Sequence, residues 1–385
     1  MKADHCRGCG STNLVTLHDF GMQPLAGNYP TKPNSVTPAK RYPLDLTQCR
    51  FCGLLQVTNL PPINEVFHDD YRYSSSTVPG LVRHFNEYAQ WLAQRFHSEE
   101  RIFEFGCNDG VLIEKLQHLG FDCAGIDASD NVASLAREKG LNVATGFLNM
   151  DFVVENGHER QYDIVTCSNV LAHIHDLSGT LQAVHALLRK NGYFVIEVHD
   201  GRLLSIEGQF DTVYHEHLTY FTENSLKRLL TNSGFQFIEC IRTSMHGGGL
   251  RFVAQLIDRP DAGEHIETPV MLLNDFVTPA VDRCRAELER LYETHGPLVG
   301  YGAAGRSQMF INFTHSGEFF SQVFDDSPLR QGRYIAGTDI PITPYNDQCG
   351  NCAVILAWNY AADIAAKIRG HFVDVVTLLP ETKKW

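Results

Sequence analysis

Hydrophobic and polar positions change their period repeatedly along this chain, and the changes mark out the elements. Arg101-Ile102-Phe103-Glu104-Phe105 carries apolar residues into an acid as a strand does, the chain turns on Gly106 and Gly110, and Val111 to Leu119 shows an apolar face at helical spacing. Gly120-Phe121-Asp122-Cys123-Ala124-Gly125-Ile126-Asp127 reads as a second, parallel strand. The alternation continues with a buried strand at Tyr162 to Cys167, a helix from Ser178 to Leu188 with Ser178 as its N-cap, and a strand at Gly192 to Val198. A helical stretch at Leu226 to Leu230 is followed by Phe235 to Ile238 and Leu250 to Ala254, a terminal antiparallel pair. Upstream, Leu81 to Arg95 is an amphipathic helix; downstream, a long helix over about 270–295 bridges to another strand and glycine turn, Leu298 to Ser307. Strands at Val323 to Asp326, Cys352 to Trp358 and Phe372 to Val376 complete a second, smaller α/β unit.

The first glycine turn narrows the chemistry. An acid about twenty residues after the turn, at the tip of the next strand, is where a Rossmann-type fold holds ribose hydroxyls, so Asp127 predicts a nucleoside across the two strand tips. A dinucleotide site wants three glycines so that a pyrophosphate can approach backbone amides. Here Asn108 and Asp109 stand in the middle, and a carboxylate there repels phosphate. S-adenosylmethionine (SAM) carries a sulfonium and an amino group instead, and an acidic, polar loop suits it. The second turn, Gly300-Tyr301-Gly302-Ala303-Ala304-Gly305-Arg306, also lacks the dinucleotide pattern. Its small residues admit either a phosphate beside Arg306 or simple close packing of helix on strand.

Cys6-x2-Cys9 and Cys49-x2-Cys52 each present two thiolates on a glycine-containing turn, and together they predict one structural tetrathiolate zinc site. Cys352 begins an apolar strand and reads as core, as do Cys107, Cys123, Cys167, Cys240 and Cys284. Residues 1–68 are then a zinc-binding module, 69–258 the SAM-dependent domain and 259–385 the smaller α/β domain, a substrate-binding unit. A formal net charge of −13 argues against a broad nucleic-acid-binding face. No apolar run approaches the roughly 20 residues of a membrane span, and the start of the chain lacks a signal-peptide core. The expectation is a cytoplasmic protein, a monomer or weak oligomer, with neither membrane nor nucleic-acid partners.

Titratable and aromatic groups are densest in Asp211-Thr212-Val213-Tyr214-His215-Glu216-His217-Leu218-Thr219-Tyr220-Phe221, after the strand ending at Val198 and so on the carboxyl edge of the sheet. His215 and His217 lack a third metal ligand at convincing spacing, and general acid–base work suits the run better. Asn169-Val170-Leu171-Ala172-His173 is a second such loop, one strand earlier.

These motifs, taken in order, resemble the SAM-dependent sugar C-methyltransferases. The resemblance is carried by the paired Cys-x2-Cys, Tyr71-Arg72-Tyr73-Ser74-Ser75, Glu104 to Gly110, Asn169 to His173, Tyr214 to Phe221, His246-Gly247-Gly248-Gly249-Leu250-Arg251 and Asp325 to Arg333, and runs nearly end to end. It implies a class I SAM methyltransferase, Rossmann-like in fold, that methylates C3 of a nucleotide-diphosphate-linked 4-keto-6-deoxyhexose. His217 is then the base that removes the C3 proton, with Glu216 and Tyr214 orienting it or sharing in proton transfer and Tyr73 reaching in from the connector. The cofactor set is Glu104, Gly106, Asn108, Asp127 and Asn169, with Phe147 beside adenine. His173, His246, Arg251, Arg306 and Arg333 are implied as sugar and diphosphate contacts. An O- or N-methyltransferase, which needs no carbon acid, and a zinc-ribbon RNA-modifying protein are the competing readings.

Overall fold

The computed structural model describes residues 3–66, 75–258, 268–271, 273–346 and 350–385, in which three sheets are built in sequence. The first begins with antiparallel strands β1 (Leu14–Pro24), β2 (Arg41–Cys49) and β3 (Leu55–Val57). Tyr42 to Leu46 lie within β2, whose inner residues Leu44 and Leu46 are fully buried.

The second sheet holds the predicted alternation. Its strands are β4 (Arg101–Phe105), β5 (Asp122–Asp127), β6 (Val143–Thr145), β7 (Tyr162–Ser168) and β8 (Leu188–His199). A two-residue strand, β9 (Thr219–Tyr220), leaves this part of the chain and pairs with β3 in the first sheet, Leu55 opposite Tyr220. The second sheet closes with β10 (Phe235–Thr243) and β11 (Gly249–Leu256), and its order is β10-β11-β8-β7-β4-β5-β6. β4 to β8 run parallel and β11 is antiparallel to β8 and to β10, which is the class I SAM methyltransferase arrangement. The strand order reverses between β4 and β7, the switch point at whose carboxyl ends sheets of this kind bind their ligands. Apolar layers cover both faces: Leu181, Val184, Phe194 and Phe252 on one, and Leu92, Ile113, Leu116 and Ile164 on the other.

The helix Asn274–His295 leads to the third sheet. It contains β12 (Leu298–Tyr301), β13 (Phe320–Phe324), β14 (Arg333–Tyr334), β15 (Pro341–Thr343), β16 (Gly350–Ile355), β17 (Phe372–Thr377) and β18 (Lys383–Lys384). The order is β14-β15-β13-β12-β16-β17-β18, parallel except for the two edge strands.

Three local expectations differ from the structure. The helix expected at Ser178 spans Leu177–Leu187 and is capped by Asp176, whose carboxylate accepts the Gly179 N–H at 2.9 Å. The cap lies two residues earlier than expected, so Ser178 falls inside the first turn and its hydroxyl is not placed to accept the free N–H groups. Trp358 stands in a 3₁₀ turn beyond β16, and Cys240 is half-buried because β10 is the sheet edge.

Candidate active site

The cofactor cleft is built from the turn after β4. Gly106 and Gly110 have φ of 65° and 77°, in the left-handed region that favours glycine. A Cβ on Gly106 would stand 2.2 Å from the Val170 side chain. Asn108 also adopts a left-handed backbone, donates its N–H to Asp127 Oδ2 at 2.8 Å and accepts the Ser75 N–H at 2.9 Å. Asp127 Oδ1 accepts the Ser129 N–H at 2.9 Å. Burial raises the Asp127 pKa, and the two N–H donors oppose that shift.

Two buried polar atoms flank this loop without a hydrogen-bond partner: Glu104 Oε2 at the end of β4 and Asn169 Nδ2 just after β7. Burial, followed by the charges of Asp127, Glu197 and Asp109, holds the Glu104 pKa well above the ordinary carboxylate range. An unsatisfied acceptor and an unsatisfied donor, set on adjacent strands, fit a ligand bearing both an ammonium and a carboxylate. The methionine end of SAM has that character. Phe147, by contrast, is 66% exposed on the loop after β6. Asp127→Ala is expected to weaken SAM binding by roughly ten- to a hundredfold, the scale of a hydrogen bond to a charged group, without unfolding the domain. Calorimetry showing wild-type affinity would remove Asp127 from the ribose.

The Asp211–Phe221 run folds back beneath the same edge. His217 Nδ1 lies 3.0 Å from the Thr212 carbonyl, which can only accept, so the proton sits on Nδ1 and Nε2 is the basic nitrogen. The Tyr214 hydroxyl meets Nε2 at 2.7 Å. The His173 ring packs edge-on against His217 at 4.8 Å, and its Nδ1 donates to the Glu216 carbonyl at 2.7 Å. Burial, and then the neighbouring His173, pushes the His217 pKa well below its ordinary value, which keeps the imidazole neutral. His215 is directed elsewhere, to the Pro43 carbonyl of β2 at 3.2 Å. The Glu216 carboxylate likewise turns from His217 and accepts the Gly27 N–H at 2.6 Å. Tyr73 lies outside the described residues.

The basic residues are distributed differently from one another. Arg251 is buried in β11, pairs with Glu197 at 2.7 Å and lies over the Tyr88 and Trp91 rings. His84 and Ser168 complete the Glu197 shell at 2.7 and 3.2 Å. Arg306 makes a two-pronged pair with Asp211 at 2.8 and 3.0 Å, donates to the His246 carbonyl at 2.6 Å and stacks over Trp358. Trp358 Nε1 donates to the same Asp211 carboxylate at 2.9 Å. His246 has a left-handed backbone and faces Tyr360, and Arg333 donates to the Tyr29 carbonyl at 3.1 Å. Of the two readings left open for the second glycine turn, the geometry shows Arg306 bonded across to the methyltransferase sheet's own loop.

Asp211, Glu197, His84 and Trp358 carry this framework, and sequence reasoning gave none of them a role. The signal available was slight: Asp211 heads the densest titratable run, and Glu197 is an acid inside the apolar run Tyr193 to Val198. Asp211 is fully buried, so removing its partner strands a charge. Arg306→Ala is expected to lower folding stability by about 3–5 kcal/mol, measured as the shift in urea midpoint at constant slope. A loss under about 1 kcal/mol would mean that water reaches the carboxylate.

At the other end of the first sheet, Cys6, Cys9, Cys49 and Cys52 place their Sγ atoms within 4.8 Å of one another. The two turns match: Gly10 N–H bonds the Cys6 carbonyl and Gly53 N–H the Cys49 carbonyl, and both glycines are left-handed. Cys6 and Cys52 stand 3.5 Å apart and Cys9 and Cys49 3.6 Å, near the edge of about 3.8 Å that a tetrahedron of 2.3 Å zinc–sulfur bonds requires. The site fits zinc, and four thiolates leave no open position for substrate.

Sheet order, cleft and cysteine cluster together define a SAM-dependent methyltransferase that also binds zinc. Comparison with known proteins sharpens this. Residues 82–240 match the family model "Methyltransferase domain", residues 6–67 the "Putative zinc binding domain" and residues 272–376 the "C-methyltransferase C-terminal domain". Together the three models span most of the chain and support a SAM-dependent C-methyltransferase, the class its motif order resembles. C-methyltransferase NovU of Streptomyces niveus is 27% identical over 94% of this chain and 91% of its own length. The ubiquinone biosynthesis O-methyltransferase of Hydrogenovibrio crunogenus is 31% identical over only 26% of this chain and 44% of its own. Among solved structures, the PH0226 protein of Pyrococcus horikoshii OT3 matches at 15% identity and a TM-score of 0.42, covering 49% of this chain and 99% of that one.

Proposed function

We propose that the protein transfers the SAM methyl group to C3 of a nucleotide-diphosphate-linked 4-keto-6-deoxyhexose. The observation that carries the reading is the Tyr214–His217 dyad, a neutral buried imidazole whose one basic nitrogen already receives a phenolic proton. A carbon acceptor must lose a proton before it can attack a methyl group, and a C4 ketone makes the neighbouring C3 hydrogen removable by a positioned base. C-methylation by the relative that matches nearly end to end supports a carbon acceptor. His217 Nε2 is the terminal proton acceptor, directly or with the Tyr214 oxygen as relay. SAM, when bound, supplies an electrophilic methyl; Glu104, Asn108, Asp127 and Asn169 hold it in the cleft.

His246 can donate through Nε2 when its Nδ1 accepts from Tyr360, and His173, whose Nδ1 proton is committed to the Glu216 carbonyl, offers Nε2 as an acceptor to a sugar hydroxyl, while the committed guanidinium groups of Arg251 and Arg306 fix the framework around them. Incubating the protein with SAM and a panel of nucleotide-linked 4-keto sugars, with products read by mass and by the position of the new methyl, tests the reading. Methylation confined to hydroxyl or amino acceptors would replace it with the O- or N-methyltransferase reading.

A further inference from the structure

Glu216 is an odd neighbour for a catalytic histidine. Its carboxylate is buried, its Oε1 accepts the Gly27 N–H at 2.6 Å, and its Oε2 has no hydrogen-bond partner. The donor comes from the far side of the molecule in sequence, from the stretch after β1 in the zinc-binding module.

That stretch, Leu25 to Pro30, runs between the Tyr214–His217 loop and the third sheet's first helix, Gly305–Phe313. Its course is fixed on both sides. The Ala26 carbonyl accepts the Gln308 side chain, the Tyr29 carbonyl accepts Arg333 at 3.1 Å, and the Pro30 carbonyl accepts the Tyr334 N–H at 3.0 Å. Leu25, Ala26 and Tyr29 are buried, while Gly27 and Asn28 are exposed. A Cβ on Gly27 would stand 3.1 Å from Glu216 Oε1, and a Cβ on Gly305 would stand 3.4 Å from Ala26 and 3.8 Å from the Tyr214 ring. Gly27 does not have a left-handed backbone, so its local conformation does not demand glycine. What disfavours a side chain there is the close approach of backbone to carboxylate, since a Cβ would push the Glu216 carboxyl back by a few tenths of an ångström.

We infer that the Leu25–Pro30 segment of the zinc-binding module forms a wall of the acceptor cleft, and that Gly27 is a positioning residue that aims the Glu216 carboxyl into it. The inference rests on the proposed sugar C-methylation for its catalytic consequence. Its physical content is simple: one oxygen is pinned by the module's backbone, which leaves the other, unpartnered, oxygen turned to a bound acceptor or its proton. The module thereby acts on methyl transfer without contributing a side chain to it.

A double-variant cycle tests this. Gly27→Ala is expected to lower kcat about tenfold and Gly27→Val about a hundredfold, the scale of a catalytic group misplaced by up to 1 Å. Affinity for SAM and a zinc content of one per chain should be unchanged. Gly370→Val, at a glycine where a Cβ meets nothing within 4 Å, serves as the neutral control. On a Glu216→Ala background, Gly27→Val should cost less than about a further twofold, because the group it misplaces is already gone. The full loss persisting on that background, or an undiminished kcat in Gly27→Val, overturns the inference. Should the valine variant lose zinc, the alanine variant carries the same cycle. Should the wild type methylate no keto sugar, the proposed function fails alone. Hydrogen exchange of the 24–30 peptide then decides: faster exchange at Gly27 in Glu216→Ala supports the contact, and unchanged exchange overturns it.

Discussion

His217→Ala is expected to abolish both methylation and solvent deuterium exchange at C3 of a 4-keto nucleotide sugar, while SAM still binds. The two losses go together because both need the same enolate. A positioned base contributes about 10²–10⁴ in rate, and here its position is fixed at both ring nitrogens, by the Thr212 carbonyl and the Tyr214 hydroxyl. Tyr214→Phe separates direct from relayed transfer. If the phenolic oxygen passes the proton, exchange falls nearly as far as in His217→Ala; if His217 acts directly, the phenylalanine variant keeps most of its exchange. Retained C3 exchange in His217→Ala with methylation lost would move the base to Glu216, Tyr214 or Tyr73 and leave His217 as a positioning group. An O-methyltransferase would show no C3 exchange in any form.

The cofactor half of this site was legible in the chain because its determinants are local. Gly106 and Gly110 sit where left-handed backbone is needed, and Asp127 follows at the spacing that a strand–helix–strand unit sets by geometry. The cysteine pairs were legible for the same reason, each being a short turn with its own glycine. Long-range partners were not. Arg306 and Arg251 have the charge for a diphosphate, but which carboxylate each meets depends on how elements about 95 and 54 residues apart pack, and no period in the sequence encodes that. β9 is two residues long, too short to leave a pattern, yet it joins the zinc-binding module to the loop that carries His217. Gly27 carries no local signal in the sequence, and its meaning comes only from the carboxylate placed against it.

That junction gives zinc removal a large expected effect on a reaction the metal does not touch. β2 ends at Cys49, the hairpin from Cys49 to Gly53 returns as β3, and β3 pairs with β9, which begins two residues after His217. The Val57 N–H reaches the Leu218 carbonyl at 3.0 Å, and the Leu218 N–H the Ala172 carbonyl at 2.7 Å, so the loop that carries His217 is stitched to the cysteine hairpin. Structural tetrathiolate zinc commonly contributes about 10–16 kcal/mol of apparent binding free energy, which the module loses with the metal even though its apolar residues share one core with Phe210 and Phe310. Stripping the ion with a strong chelator, or Cys49→Ser, is therefore expected to unprotect residues 3–57 to hydrogen exchange and to lower methyl transfer at least about a hundredfold through displacement of the His217 loop. The β4–β5 region should keep its protection, and SAM affinity should change by no more than a few-fold, because Gly106, Asn108 and Asp127 belong to a separate sheet. Metal-free protein, verified by elemental analysis, that methylates at the native rate would show that the β3–β9 pairing holds without zinc. Loss of SAM binding in parallel with activity would mean instead that the three sheets unfold as one cooperative unit.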